Sequence, residues 1–334
     1  MLKQISLLIL CAVAIVLFAT PVHACTSAVV SGKVTLDGRP LLWKNRDTDF
    51  MRNHVDYVKG ERYDFIAVVN SANAYLKEAW MGTNSAGFAL MNTQSYNLVD
   101  VKGDEERGAA NGRVIYRALE VCATVEDFCH FLDTISKPSD IEANFGVIDA
   151  QGGAAMFEVD YYKYVMYDAN NPKDAPYGYI ARTNFSFAGK VNEGAGYVRY
   201  MEADQVLMKA SATGNITPQF IFNDLSRSFR NRMLDIDLRS GGYNRPQASG
   251  WFIDQDFIPR SSTSCSVVVQ GVKPGVKAEL TTMWTLLGYP PTGIAVPLWV
   301  KDAGKLLPGM VRFNREHEAA LLSDWSLRLA DRVF

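Results

Sequence analysis

Histidine is scarce in this chain, with four in 334 residues. His23 lies in the opening segment, and His54, His130 and His317 show no H-E-x-x-H spacing, so no metal motif is present. The G-x-S-x-G elbow is missing. A phosphate-binding loop is missing too, because Gly194-Ala195-Gly196 runs on into Tyr-Val-Arg without a third glycine. No cofactor is therefore expected. A Ser–His–Asp or Cys–His enzyme needs a dedicated histidine. Only His54 and His130 qualify, and His130 sits beside Cys129 in an amphipathic stretch where packing is the expected role. Charge of one sign is lacking as well: 34 basic and 36 acidic residues leave −2, with no basic cluster after the first 24 residues. That excludes nucleic acid and anionic membranes as partners. There is no internal repeat, no low-complexity tract and no linker that would divide the chain.

What is present begins at the N-terminus. Lys3 supplies a positive charge, residues 5–19 form a nearly unbroken apolar run, and Val22-His23-Ala24 ends on the small residue a signal peptidase needs. About fifteen apolar residues suit a signal-peptide core and fall short of the ~20 that a bilayer span requires. The expectation is a leader over residues 1–24, removed to leave a single domain over 25–334. That domain would be free of the membrane, in a periplasmic or extracellular space. An uncleaved anchor is the competing reading.

Such a cut removes Cys11 and leaves Cys25, Cys122, Cys129 and Cys265. In an oxidising compartment a disulfide is the first suspicion. Cys122 and Cys129 would lie roughly 10 Å apart along one continuous helix, too far to bond. Thr124 reads as an N-cap that opens a new helix, so a bend leaves that bridge open. Cys265 sits in the β-rich run Ser264-Cys265-Ser266-Val267-Val268-Val269 and reads as a small core residue. Cys25 is left without an obvious partner.

Strand character is expected over residues 27–34 and 40–45, joined by an Asp37-Gly38 turn, then over 63–69, 77–81 and 87–91. Helices follow over 112–121 and 125–135, and strands resume at 144–149, 154–159, 164–167 and 179–182. A second helical group covers 197–209 and a segment opened by Thr217-Pro218 that runs to about 230. Residues 240–250 read as a loop, 263–270, 278–285 and 293–298 as strands, and 316–332 as a closing amphipathic helix. Two groups of strands, each followed by helices, predict an α+β fold of two sheets with helices outside them.

Cleavage before Cys25 would put a thiol and a free α-amine on one residue. That amine has a reference pKa of ~7.7–8.0, so it can act as base near neutral pH without any histidine. A thiol becomes a strong nucleophile once it is deprotonated. The segment Trp43-Lys44-Asn45-Arg46-Asp47-Thr48-Asp49 supplies both charge types at the end of the returning hairpin strand.

Cys25-Thr26-Ser27, then a hairpin, then Leu41-Leu42-Trp43-Lys44-Asn45-Arg46-Asp47 resembles the start of the N-terminal nucleophile (Ntn) hydrolases that cleave linear amides. Similar groups are the penicillin V acylases and bile salt hydrolases, and the acyl-CoA:isopenicillin N acyltransferase (peptidase C45) group. The likeness continues through Gly82-Thr83-Asn84-Ser85-Ala86-Gly87-Phe88-Ala89-Leu90-Met91-Asn92 and Asn144-Phe145-Gly146-Val147-Ile148-Asp149-Ala150 with Phe157-Glu158. It returns at Thr183-Asn184-Phe185 and at Thr263-Ser264-Cys265-Ser266-Val267-Val268.

The resemblance implies a four-layer αββα sandwich of mainly antiparallel sheets. It implies Cys25 as nucleophile with its own amine as proton acceptor, Asp47 holding amine and thiol, and Asn184 donating to the oxyanion, with Asn92 in support. Bile salt hydrolases carry arginine where this chain has Lys44, which keeps the charge and loses the bidentate fork. A late family arginine points to Arg260. Glu158 and Asp149 are read as structural. The implied partner is a small-molecule amide, a homo-oligomer stays open, and so does acyl transfer to an amine in place of water. A lipid-modified cysteine on a non-catalytic binding protein is the competing class, and His23 argues against its lipobox. Residues 50–63 and 243–251 are candidate pocket walls, or exposed loops with a few anchoring aromatics. Acylated amines, peptides with a terminal amide, lipid-like amides and bile-acid conjugates all stay open.

Overall fold

The fold is that of a computed structural model, which describes residues 25–99, 108–240, 254 and 256–333. The leader expected over 1–24 and the candidate wall at 243–251 lie outside the described residues, as does all but Ser240 of the 240–250 loop.

Two antiparallel sheets carry the chain. The first joins β1 (Thr26–Val30), β2 (Leu41–Asp47), β10 (Tyr179–Arg182), β13 (Thr263–Gln270), β14 (Thr282–Leu287) and β15 (Ala295–Leu298), in the order β10-β1-β2-β13-β14-β15. The second is a seven-stranded meander in sequence order: β3 (Asn53–Val58), β4 (Phe65–Asn70), β5 (Met81–Asn84), β6 (Ala89–Gln94), β7 (Ala143–Ile148), β8 (Ala154–Val159) and β9 (Tyr164–Asp168). A small hairpin, β11 (Arg230–Asn231) with β12 (Ile236–Asp237), stands apart.

Alternation of side chains along the strands sorts the residues into layers. In β2, Leu42 points between the sheets while Leu41 and Trp43 point outward. The inter-sheet core packs Val29, Leu42, Val267 and Val269 against Ile66, Val68, Met91 and Met156. Outside the seven-stranded sheet, Phe65, Leu90, Phe145 and Phe157 meet α1 (Asn111–Val121) and α2 (Val125–Thr134) through Ile115, Leu119, Phe128 and Leu132. Outside the six-stranded sheet, Ala28, Val30, Leu41 and Trp43 meet α3 (Tyr197–Ser211) through Ala203 and Leu207. The result is helix, sheet, sheet, helix: the αββα sandwich expected from the resemblance.

Several element boundaries differ from expectation. The strand expected at 77–81 is β5, beginning at Met81 after a 3-10 turn at Ala74–Leu76, and Lys77 sits in the left-handed region at φ 55. The strand expected at 278–285 runs Thr282–Leu287 after another 3-10 turn. Thr217 does cap its helix by accepting from Phe220 N. Only α4 (Pro218–Phe220) is α-helical, however, and Ile221–Leu225 widens into a π turn. After the short α5 (Ala303–Leu306), the closing helix α6 is Leu321–Val333. Residues 50–63 are no open loop, because they contain the edge strand β3. Its polar residues Asn53, His54 and Asp56 suit an edge and mask the strand signal.

The Thr124 cap forms as expected, with Asp127 completing a capping box. The bend it makes leaves Cys122 and Cys129 unbridged, and all four described cysteines are free. His130 is exposed on α2, which corrects the packing expectation: the face of α2 that meets the core carries Phe128 and Leu132 instead. Among the described residues, no helix is long and apolar enough to cross a membrane.

Candidate active site

Cys25 immediately precedes β1, an interior strand of its sheet, and is almost fully buried at 6% exposure. Its thiol faces the backbone carbonyl of Asp47, with Sγ 3.8 Å from the oxygen. The cause is the β1–β2 hairpin, whose register sets Thr26 opposite Asn45 and Ser27 opposite Lys44. The end of β2 therefore runs past the head of β1. Asp47 approaches Cys25 through its main chain, while its carboxylate is engaged elsewhere. Thr263 Oγ1 donates to Asp47 Oδ1 at 2.6 Å, and Arg260 Nε lies 3.0 Å from Oδ2. The second contact is a buried charge pair. Thr263 in turn accepts from Arg260 N at 2.9 Å, so the start of β13 locks arginine and carboxylate as one unit. Burial pushes the Asp47 carboxyl above the usual range, and the Arg260 and Arg199 guanidinium groups pull it back.

Lys44 and Asn92 meet directly: Lys44 Nζ donates to Asn92 Oδ1 at 2.9 Å and to Trp80 O at 3.3 Å. Burial lowers the Lys44 ammonium from its ordinary value. Asn184 follows β10 at the opposite flank of β1. Its Nδ2 donates to Gln94 O at 2.8 Å, which ties it to the end of β6.

One residue joins these parts that the sequence alone does not single out. Arg199, 1% exposed, reaches in from α3. Its Nη1 donates to Cys25 O at 2.7 Å and to Thr26 Oγ1 at 2.8 Å, and its Nη2 donates to Asn184 Oδ1 at 2.9 Å. Burial pulls its pKa down to about 10, opposed by Asp47, so it stays charged at neutral pH. Two signals for it are in the sequence. Arg199 shares a face with Ala203 and Leu207, where a helix ordinarily places apolar residues. Gly196, the cap of α3, has φ +85, and a Cβ there would come within 2.3 Å of Arg199 Nη2. Gly196 thus makes room for an arginine.

Other motif residues build the frame. Asn84 accepts from Ala86 N and Phe88 N and donates to Leu119 O and Cys122 O, so the Gly82–Asn92 motif pins the end of α1. Asn144 Nδ2 donates to Thr183 O and Phe185 O, on either side of Asn184. Glu158 pairs with Arg182 at 2.6 Å and accepts from Phe187 N and Ala188 N, holding the loop that follows Asn184. Asp149 accepts from Gln151 N, Gly153 N and Val125 N, the structural role expected of it. Among the described residues no group of three or more His, Cys, Asp or Glu is placed to hold a metal ion.

A four-layer αββα sandwich with a cysteine at the head of an interior strand is the arrangement of the Ntn hydrolases acting on linear amides. Within that class, the model of the acyl-coenzyme A:6-aminopenicillanic acid acyl-transferase family matches residues 35–220, more than half of the chain, and the chain belongs to this family. No curated protein matches it in sequence. Among solved structures it is similar to a mutant of the conjugated bile acid hydrolase from Clostridium perfringens. That match has 13% identity and a TM-score of 0.49, over 83% of this chain and 93% of that one. It is also similar to penicillin V acylase from Agrobacterium tumefaciens, with 15% identity and a TM-score of 0.42 over 83% and 86%. A Caenorhabditis elegans ortholog of N-acylethanolamine-hydrolyzing acid amidase matches with 16% identity and a TM-score of 0.39 over 60% and 90%.

Proposed function

We propose that this chain is an exported amidohydrolase whose leader is cut after Ala24, and that Cys25, then the first residue, cleaves a linear amide through a thioester. The observation that carries the reading is the grip on residue 25. Arg199 holds its carbonyl and Asn184 together, while its thiol faces Asp47 O. Main chain, thiol and asparagine of one residue pair are thus fixed as a unit, which is useful if the backbone nitrogen of Cys25 takes part in the chemistry.

In this mechanism the free α-amine accepts the thiol proton and the sulfur attacks the amide carbonyl. The carbonyl π pair moves to oxygen, and Asn184 Nδ2, supported by Asn92, donates to that oxyanion. A donor of this kind is worth about 3 kcal/mol of barrier. The intermediate collapses, the C–N bond breaks, and the leaving amine takes the proton back from the α-ammonium. Water, deprotonated by the same amine, then attacks the thioester and releases the acid and the thiol. Asp47 and Arg260 fix the end of β2 so that the thiol keeps its place. The family's name favours a second reading of the last half, in which an amine replaces water and the acyl group is transferred. Both readings share the thioester.

The test is to express the full chain, read its N-terminus by intact mass, and incubate it with a panel of N-acyl amides. A start at Cys25 and an acyl adduct on that residue are expected, with turnover abolished in Cys25→Ala. Amide cleavage by the Cys25→Ala protein would overturn the assignment.

A further inference from the structure

Two cations buried between the sheets lack an acid. Lys44 and Arg46 lie two apart on β2 and so share its inter-sheet face with Leu42. Their exposures are 2% and 3%. Lys44 bonds only Asn92 Oδ1 and Trp80 O. Arg46 donates to Asn53 Oδ1, Asn70 Oδ1 and Thr48 Oγ1 and lies 4.6 Å over the Trp80 ring. All of these partners are neutral. The carboxylates whose fields reach Arg46, Asp47 and Glu78, are paired with Arg260 and Arg113. Among the described residues no carboxylate lies within ion-pair distance of either cation. Burial lowers Arg46 to about 10, so its charge persists at neutral pH.

Donors are also left over. Lys44 has three N–H groups and makes two bonds. Trp80, which both cations touch, has a buried Nε1 without a partner. Buried charges are normally paired, and buried donors are normally satisfied. A mere clamp between the sheets would be served by a neutral amide without burying a charge. The register gives the place: Thr26 faces Asn45, so one further step sets Cys25 beside Arg46, about 5 Å away between neighbouring strands.

We propose that Lys44, Arg46 and Trp80 form an anion subsite that receives a carboxylate carried by the substrate amide, on its acyl chain or on its amine side. The proposal rests on the amidase reading above and narrows it. A half-amide of a dicarboxylic acid, or an N-acyl amino acid, would pair the buried cations a few bonds from the scissile carbonyl. A neutral fatty-acyl chain would leave them desolvated and unpaired, which is discrimination by an unmatched polar group.

Two substrate pairs test this on the mature protein. N-glutaryl-4-nitroanilide against N-pentanoyl-4-nitroanilide probes the acyl side, and N-pentanoylglycine against N-pentanoylmethylamine probes the amine side. In one pair the charged member should have a kcat/KM at least tenfold higher. Arg46→Gln should pull that ratio toward one, mainly through KM. Trp80→Phe, which keeps the ring and removes the N–H, should lower the ratio less and serves if the arginine variant does not fold. A ratio near one in both pairs for the wild-type chain, or a ratio unchanged in both variants, overturns the subsite. Equal slowing of charged and neutral members by Arg46→Gln also overturns it, since the arginine would then serve the thiol alone. A readout without turnover separates the two readings. In full-length Cys25→Ala, glutarate or N-pentanoylglycine should raise the Tm, and adding Arg46→Gln should remove the rise. Carboxylate binding with no cleavage by the wild-type chain would sink the amidase reading and leave the subsite; cleavage with neither preference nor Tm rise would do the reverse.

Discussion

The layer between the two sheets has two ends of opposite character at similar depth. At one end Val29, Leu42, Ile66, Val68, Met91, Val267 and Val269 make a dry apolar core. At the other, the same strands carry Arg182, Lys44 and Arg46 from one sheet, facing Glu158, Asn144, Asn92, Asn70 and Asn53 from the other. Those five residues of the seven-stranded sheet are 5% exposed or less. Apolar burial stabilises a fold by roughly 25 cal/mol per Å², whereas buried charges at best break even against apolar replacements of the same shape. The polar end is therefore not explained by stability. It coincides with Cys25, and the fold tolerates it because the apolar end, with the two outer helix-to-sheet cores, carries the packing.

At Glu158, polar bonding still serves the frame. Glu158→Gln leaves Arg182 buried without its counter-charge and weakens the hold on Phe187 N and Ala188 N. A loss of about 3–5 kcal/mol is expected for breaking a buried pair from one side, read as a lower midpoint in urea unfolding with unchanged slope. A midpoint within error of wild type would mean that the polar end does not bear on stability even here. Next in size is Arg199→Met, which frees both the Cys25 carbonyl and Asn184. It should lower kcat by about 10²-fold, with a smaller change in KM, as expected for an interaction used in the transition state. Equal loss through KM alone would make Arg199 a binding residue.

Much of the frame is legible in the sequence because it follows from local rules: alternation sorts Leu42 from Trp43, and Thr124 and Thr217 announce their helices. The region around Cys25 is legible in part. Asp47 and Arg260 each stand out by likeness, and their pairing through Thr263 appears only when β13 folds back beside β2. Nothing in the sequence singles out Asn53 or Asn70, and only the pairing of β3 with β4 sets them opposite each other beside Arg46. Arg199 escapes because amphipathic patterning counts an arginine as solvent-facing, whereas here a packed helix aims it into the sheet. Most of the missed pieces are contacts of long sequence separation, such as Arg199 with Cys25 and Thr263 with Asp47, which spacing along the chain does not encode.

The smallest effect belongs to the dry end and tests whether the two ends act separately. Gly146 in β7 faces the other sheet so closely that a Cβ would come within 2.3 Å of Met91 Cε, 2.7 Å of Leu42 Cδ1 and 2.9 Å of Val29 Cγ2. Met91 is flexible at that atom, but Leu42 and Val29 are fixed on β2 and β1, the strands that bear the site. Gly146→Ala should therefore cost about 1–3 kcal/mol by overpacking, seen as a lower Tm. If the ends are separable, kcat/KM on any substrate the enzyme accepts stays within about twofold, since that ratio converts to ~0.4 kcal/mol. If instead the added methyl lowers kcat as well as Tm, then the spacing of the sheets at Gly146 sets the placement of Cys25. The apolar end would then be part of the active site's geometry and not merely its support.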